Sequence, residues 1–159
     1  MKTGRAVTTI CRQLNNNVIE IFGNSESGKS YLSKLIADRY EYVLFLDSVM
    51  KMTEESKHYI AQTNNLKDVE EVLSDIDVLI IDDFCQLSGD PKKNIYLLQE
   101  WIYNYKKLSI ILINQIRANF NKQSTEAYKP YANYVLERYT NHRFMTSVEN
   151  GEYVVTQIK

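Results

Sequence analysis

Residues 18 to 30 read Val-Ile-Glu-Ile-Phe-Gly-Asn-Ser-Glu-Ser-Gly-Lys-Ser, an apolar run leading straight into Gly23, four residues, then Gly28-Lys29-Ser30. This is the full phosphate-loop pattern for a nucleoside triphosphate, ATP or GTP. A phosphate needs backbone N–H groups converging on it with no side chain between. Glycines therefore belong where the chain turns tightly, and the helix that follows adds the positive end of its dipole. The pattern assigns Gly23, Asn24, Ser25, Glu26, Ser27, Gly28, Lys29, Ser30 and Tyr31 to the nucleotide. Lys29 is expected to reach the β- and γ-phosphates, with its side chain exposed in the empty loop, and the Ser30 hydroxyl is expected to hold Mg2+.

Asp82 closes the apolar run Val78-Leu-Ile-Ile. A carboxylate at a strand end is often only a turn residue, but beside a phosphate loop it is the group expected to anchor Mg2+, directly or through water. Asp83 follows and either turns toward the γ-phosphate to polarise water or serves as a second turn carboxylate. A fourth strand ends in Asn114-Gln115-Ile116-Arg117. Lying between the phosphate-loop strand and the Asp82 strand, this end would place Gln115 where it can sense the γ-phosphate and report to the segment beyond. Lys29, Asp83 and Gln115 are thus the catalytic candidates.

These groups need a parallel sheet with crossover helices, and the chain alternates accordingly. Ile19, Ile21 and Phe22 supply β-formers before the loop, while Leu32, Leu35 and Ile36 recur at helical spacing after it. Tyr42 to Asp47 reads as a buried strand, and residues 51 to 75 as helical in two pieces, the second carrying Val69, Val72 and Leu73. Asp90-Pro91 makes an N-cap and N1 pair for a helix with Leu97, Leu98, Trp101, Ile102 and Tyr105 inward. Leu108 to Ile113 is the fourth strand. Residues 115 to 130 form a polar stretch without apolar periodicity, and a tyrosine-rich, helical segment runs to Tyr139. His142 to Val148 and Glu152 to Ile158 alternate as a β-hairpin around Glu149-Asn150-Gly151.

The 159 residues are expected to form one domain, with residues 1–17 a short N-terminal extension. A formal net charge of -1 means that any nucleic-acid contact must come from a local patch. Cys11 and Cys85, with His58 and His142, are too few and too scattered for a disulfide framework or a zinc site, and both cysteines read as reduced and buried. No apolar run approaches a membrane span, so a cytoplasmic protein is expected. The abundance of Asn, Lys, Ile and Tyr suits an AT-rich genome.

In this order and at these spacings, Gly23 to Ser30, Val78 to Asp83 and Ile111 to Arg117 resemble the ATPase core of RecA-type recombinases. Pro130 to Phe144 resembles the helix and strand that follow in that family, so the resemblance spans roughly residues 18 to 158. Ile81 to Gly89 is similar as well to the matching part of hexameric replicative helicases. The resemblance implies a RecA-like phosphate-loop α/β fold: a mostly parallel sheet in the order 5-1-4-3-2, flanked by helices, with a C-terminal β-hairpin. It implies ATP and Mg2+ as cofactors, Ser30 and Asp82 as the metal-holding pair, and a homo-oligomeric ring or filament acting on single-stranded DNA in recombination or replication. It makes Gln115 the link between ATP and DNA, and the segment after it a DNA-binding loop.

Arg117, Asn119, Lys122 and Lys129 would there take phosphates, while Phe120 and Tyr128 stack on bases; without the resemblance the segment reads as a solvated loop. Arg138, Arg143 and Lys159 are candidates for a charge supplied to a neighbouring subunit's γ-phosphate. One departure concerns catalysis. The family's glutamate, two residues after the aspartate that Asp47 matches, is replaced here by Val49, which leaves Asp83 or Glu54 as substitutes, or else slow hydrolysis and a nucleotide that acts as a switch. The other departure is size: the chain resembles the stripped cores encoded by bacteriophages and mobile elements, whose setting would be a bacterial host cytoplasm. The alternative to a DNA-dependent ATPase is therefore a low-turnover, nucleotide-dependent assembly or regulatory protein with a protein partner.

Overall fold

The computed structural model describes residues 1–50, 58–118 and 128–159, with only the backbone of Arg117, Ala118 and Tyr128. Glu54, Asn119, Phe120 and Lys122 lie outside the described residues. In chain order come α1 (Thr3–Gln13), β1 (Val18–Gly23), α2 (Lys29–Ala37), β2 (Val43–Asp47), β3 (Tyr59–Ala61), a 3₁₀ segment (Leu66–Asp75) and β4 (Val78–Asp82). They are followed by α3 (Pro91–Asn104), β5 (Ser109–Ala118), β6 (Tyr128–Pro130), α4 (Asn133–Tyr139), β7 (His142–Glu149) and β8 (Glu152–Gln157).

The sheet runs β3-β2-β4-β5-β1-β7-β8, with β6 paired to β5 alone. The expected order 5-1-4-3-2 is the stretch β7-β1-β5-β4-β2, all parallel. Every residue of β1, β2 and β4 is buried, as befits parallel strands covered on both faces. Alternate side chains divide between two cores. Val18, Leu79, Ile81, Ile110 and Leu112 face α3, α4 and the 3₁₀ segment through Leu98, Trp101, Leu136 and Leu73. Ile19, Ile21, Phe45, Ile80, Ile111 and Phe144 face α1 and α2 through Ile10, Leu32 and Ile36.

Several local expectations hold for the physical reasons given. The Asp90 side chain accepts from the Lys92 N–H and Pro91 opens α3. Asn150 and Gly151, at φ 53° and 77°, both take the left-handed conformation that a two-residue hairpin turn demands. Other expectations hold only in part. Of the two helical pieces expected over residues 51–75, the first lies partly outside the described residues, and the edge strand β3 follows there; the second is present as a 3₁₀ helix, with Leu66, Val69 and Leu73 buried and Val72 exposed. β5 runs past Ile113 to Ala118: Ile116, Arg117 and Ala118 pair antiparallel with β6, so the described ends of the polar stretch read as a loop form a ribbon. The segment before residue 18 holds α1, whose Ala6, Val7 and Ile10 belong to the core. Cys11 and Cys85 are thiols outside any disulfide, half-buried rather than buried. No helix among the described residues is long and apolar enough to cross a membrane.

Candidate functional site

The carboxyl ends of β1, β4 and β5 lie side by side, with Gly23 in register with Gln115 and Asp82 with Ile113. In open α/β sheets this is the edge where ligands bind. β1 delivers the phosphate loop there, and two glycines shape it. A Cβ on Gly23 would lie 2.3 Å from Thr146 Oγ1 and 2.6 Å from the Thr146 carbonyl oxygen, so β7 leaves no room for a side chain. Gly28 adopts φ 92° at the N-cap of α2, and a Cβ there would meet the Tyr153 ring at 3.0 Å. Between them the Ser27 hydroxyl is buried, 2.6 Å from both the Asn24 carbonyl oxygen and Thr146 Oγ1.

Lys29 departs from its expected exposure. Its side chain is 8% exposed, and Nζ donates to the carbonyls of Gly23 (2.8 Å) and Asn24 (2.6 Å). The ammonium thus lies folded along the inside of the loop, satisfied by backbone oxygens.

A cleft of about 760 Å³ opens in front of it, lined by Ser25, Glu26, Gly28, Lys29, Ser30 and Tyr31 from the loop and α2. Asp82, Asp83, Ile113 and Gln115 line its opposite wall, and Val148, Gly151 and Tyr153 come from the hairpin. All the catalytic and metal candidates therefore meet in one cavity. Asp82 and Asp83 are both almost fully buried, and the peptide joining them is cis. Ser48 fixes this corner: its N–H donates to the Asp82 carbonyl, its hydroxyl to the Asp83 carbonyl at 2.7 Å, and Asp83 N–H returns to the same hydroxyl. Asp83 Oδ1 accepts from Cys85 N–H at 3.2 Å, and Oδ2 from Gln115 Nε2 at 2.5 Å. The donor set suits Mg2+, since Ser30 and Asp82 offer the hard oxygens it takes, in the same cavity as the candidate phosphate loop.

Asp47 ends β2 in register with Asp82, is fully buried, and accepts from Gln62 Nε2 at 3.2 Å; Val49 beyond it is largely exposed. Arg117 lies two residues past Gln115 and its backbone pairs with Lys129, so these two DNA candidates meet on the β5–β6 ribbon. Arg143 cannot serve a neighbouring subunit. It is 5% exposed, and Nε donates to Glu20 Oε1 at 2.6 Å inside the sheet. Arg138 is exposed, beside the Tyr139 ring, and Lys159 Nζ is bound to the Glu137 and Thr140 carbonyls.

The sequence reading missed Thr146, Val148, Gly151 and Tyr153. The expected adjacency of strands five and one was the available signal, because it lays the hairpin against the loop. It also missed Glu20, whose fully buried carboxyl also accepts from Asn114 Nδ2 at 2.8 Å. Burial pushes this carboxyl up from its ordinary range, against the opposing pull of Arg143 and Asn114.

No family model matches the chain, and no curated protein matches it. Among solved structures it is similar to the flagellar accessory protein FlaH from Methanocaldococcus jannaschii, with a TM-score of 0.67 and 16% identity over 91% of this chain and 79% of that one. It is also similar to the RadB recombinase, with a TM-score of 0.66 and 14% identity over 91% of this chain and 81% of that one. At such identities the likeness is one of fold alone: a RecA-like α/β fold, with a mostly parallel sheet between helices and a C-terminal antiparallel hairpin.

Proposed function

We propose that this chain binds ATP with Mg2+ and hydrolyses it in the cleft at the ends of β1, β4 and β5, acting on single-stranded DNA in recombination or replication as a homo-oligomeric ring or filament. One observation carries the nucleotide reading: Lys29, Ser30, Asp82, Asp83 and Gln115, from three separate strand ends, line a single cavity roofed by a loop in which glycine is required twice. The cavity volume falls in the range usual for small-molecule sites. Lys29 would exchange its carbonyl partners for β- and γ-phosphate oxygens, gaining charge-assisted bonds. Ser30 and Asp82 would hold Mg2+, which when bound neutralises charge on the phosphates. Asp83 would take the proton of the attacking water in place of the carboxylate that Val49 cannot supply, and Gln115 orients Asp83. The β5–β6 ribbon would carry DNA, with Arg117 and Lys129 on phosphates; the likeness to RadB, a recombinase, supports this.

The second reading, a low-turnover switch acting through a protein partner, is favoured by Val49, which stands where the resembled family carries its catalytic glutamate, and by the likeness to FlaH, an accessory protein. ATP turnover measured with and without single-stranded DNA, alongside mass by light scattering, separates the two. Turnover stimulated by DNA supports the first. Tight nucleotide binding without turnover on any DNA supports the second.

A further inference from the structure

Resting on the nucleotide reading above, we infer that Glu20 and Arg143 are positioning residues that lock the Asn114–Gln115 end of β5 to the turn leading into α4, so that nucleotide contact with Gln115 is passed to α4. Glu20 sits in the middle of β1, three residues before the phosphate loop, in a strand where every residue is buried. A carboxylate there is costly, and a buried ion pair is often no better for stability than an apolar replacement, which directs attention to what the pair connects.

It connects three strands and a turn. Glu20 Oε1 receives Arg143 Nε from β7 and Oε2 receives Asn114 Nδ2 from β5. Arg143 Nη2 continues to Asn133 Oδ1 at 2.7 Å, the first residue of α4. Asn114 Nδ2 also donates to the Tyr131 carbonyl at 2.8 Å, and Tyr131 N–H returns to the Gln115 carbonyl at 2.9 Å. The turn thus grips both Asn114 and Gln115, while the Gln115 side chain holds Asp83. The Tyr131 ring also lies 6.4 Å from the ring of Phe84, the residue after Asp83. Ala132, at φ 54°, takes a left-handed conformation that an alanine avoids in isolation, so these contacts rather than local preference hold the turn. A displacement of Gln115 must therefore carry residues 131–133 with it or break buried hydrogen bonds.

The test is amide hydrogen exchange across residues 131–139, with and without a non-hydrolysable ATP analogue and Mg2+, beside a nucleotide-binding titration. In the parent, nucleotide should change exchange by about fivefold or more, the lower end of ordinary coupling between sites. The double variant Glu20→Leu, Arg143→Met removes both charges together; it should bind nucleotide within about threefold of the parent yet lose the response in α4. Should that variant fail to fold, half-buried Asn133 decides: Asn133→Ala should blunt the response and Asn133→Asp, which keeps the acceptor, should restore it. A parent that binds nucleotide without any change in α4, or variants that retain the full response, overturns the inference. A parent that shows no binding in the titration overturns the nucleotide reading itself, and the inference falls with it.

Discussion

Gln115 Nε2 donates to Asp83 Oδ2 over 2.5 Å, so the polar end of β5 holds the last carboxylate of the β4 corner at the rim of the cleft. A hydrogen bond to an ionised acceptor is shorter and stronger than a neutral one, and it fixes the carboxylate's orientation. The Cys85 N–H donates to the other oxygen, so each carboxylate oxygen is held by one donor and keeps a further lone pair that could accept from water.

Asp83→Asn nearly keeps the side-chain shape at this corner and removes the proposed base. Turnover should fall by about 10²-fold while ATP affinity stays near the parent's, measured by single-turnover chemistry beside equilibrium binding. An unchanged rate would move the search for the base to Glu54 or to a neighbouring subunit.

Lys29→Ala deletes the ammonium that donates to the Gly23 and Asn24 carbonyls on the inside of the loop. Affinity for ATP with Mg2+ should drop by about 10²-fold, since each charge-assisted phosphate bond is worth about 1.5–3 kcal/mol. Calorimetric titration reads this, and a urea midpoint close to the parent's would show that the fold survives. Equal affinity in both proteins would refute the phosphate-loop reading.

Gly28→Ala puts a Cβ at φ 92° against the Tyr153 ring. The cost should be about 1–2 kcal/mol from backbone conformation alone, with weaker nucleotide binding. Adding Tyr153→Ala should relieve the clash with the ring without recovering the backbone cost, so the double variant should stay less stable than Tyr153→Ala alone in urea unfolding.

Arg143→Met leaves the Glu20 carboxylate buried without its cation, and should cost about 3–5 kcal/mol near neutral pH. The sign of the pH dependence follows from Glu20. Its folded pKa is raised by burial, and removing Arg143, which lowers it, raises it further. Above both folded pKa values the carboxylate is ionised in parent and variant, and the full penalty applies. As pH falls through the variant's folded pKa, and then the parent's, the carboxyl becomes neutral and the penalty fades. Denaturant midpoints of the two proteins should therefore converge on acidification; a gap that widens instead would contradict this origin.

Arg117→Ala combined with Lys122→Ala should flatten the salt dependence of single-stranded DNA binding, by about 0.7 in log–log slope for each phosphate that the variant no longer neutralises. Gln115→Ala should keep DNA binding but detach it from ATP. Filter binding across salt concentrations, with and without ATP, measures both. If neither affinity, slope nor nucleotide dependence moves, the protein-partner reading gains.

The parallel core is legible in the sequence because its strands carry continuous apolar runs bounded by chemistry: Val18 to Gly23 ends in a loop, and Val78 to Ile81 in Asp82. The phosphate loop is legible because glycine spacing reflects local backbone demands. What escapes depends on partners distant in sequence. Nothing near Tyr59 announces an edge strand; it forms by pairing with Leu44 on β2. Lys29 reads as exposed because its acceptors are backbone carbonyls, which every residue has and no motif records. Arg143 looks like any other basic residue until β7 lies beside β1, where Glu20 claims it.

That pairing has a kinetic side. Glu20 and Arg143 stand 123 positions apart, and β1, though early in the chain, finds its neighbours only in β5 and β7. Closing such long loops precedes any reward from pairing, so refolding should be slow for a domain of this size. During synthesis, β1 must wait without sheet partners until β5 and β7 have emerged, which makes the nucleotide cleft among the last features to form. On the proposed nucleotide reading, ATP would therefore stabilise the folded chain but could not template its early folding.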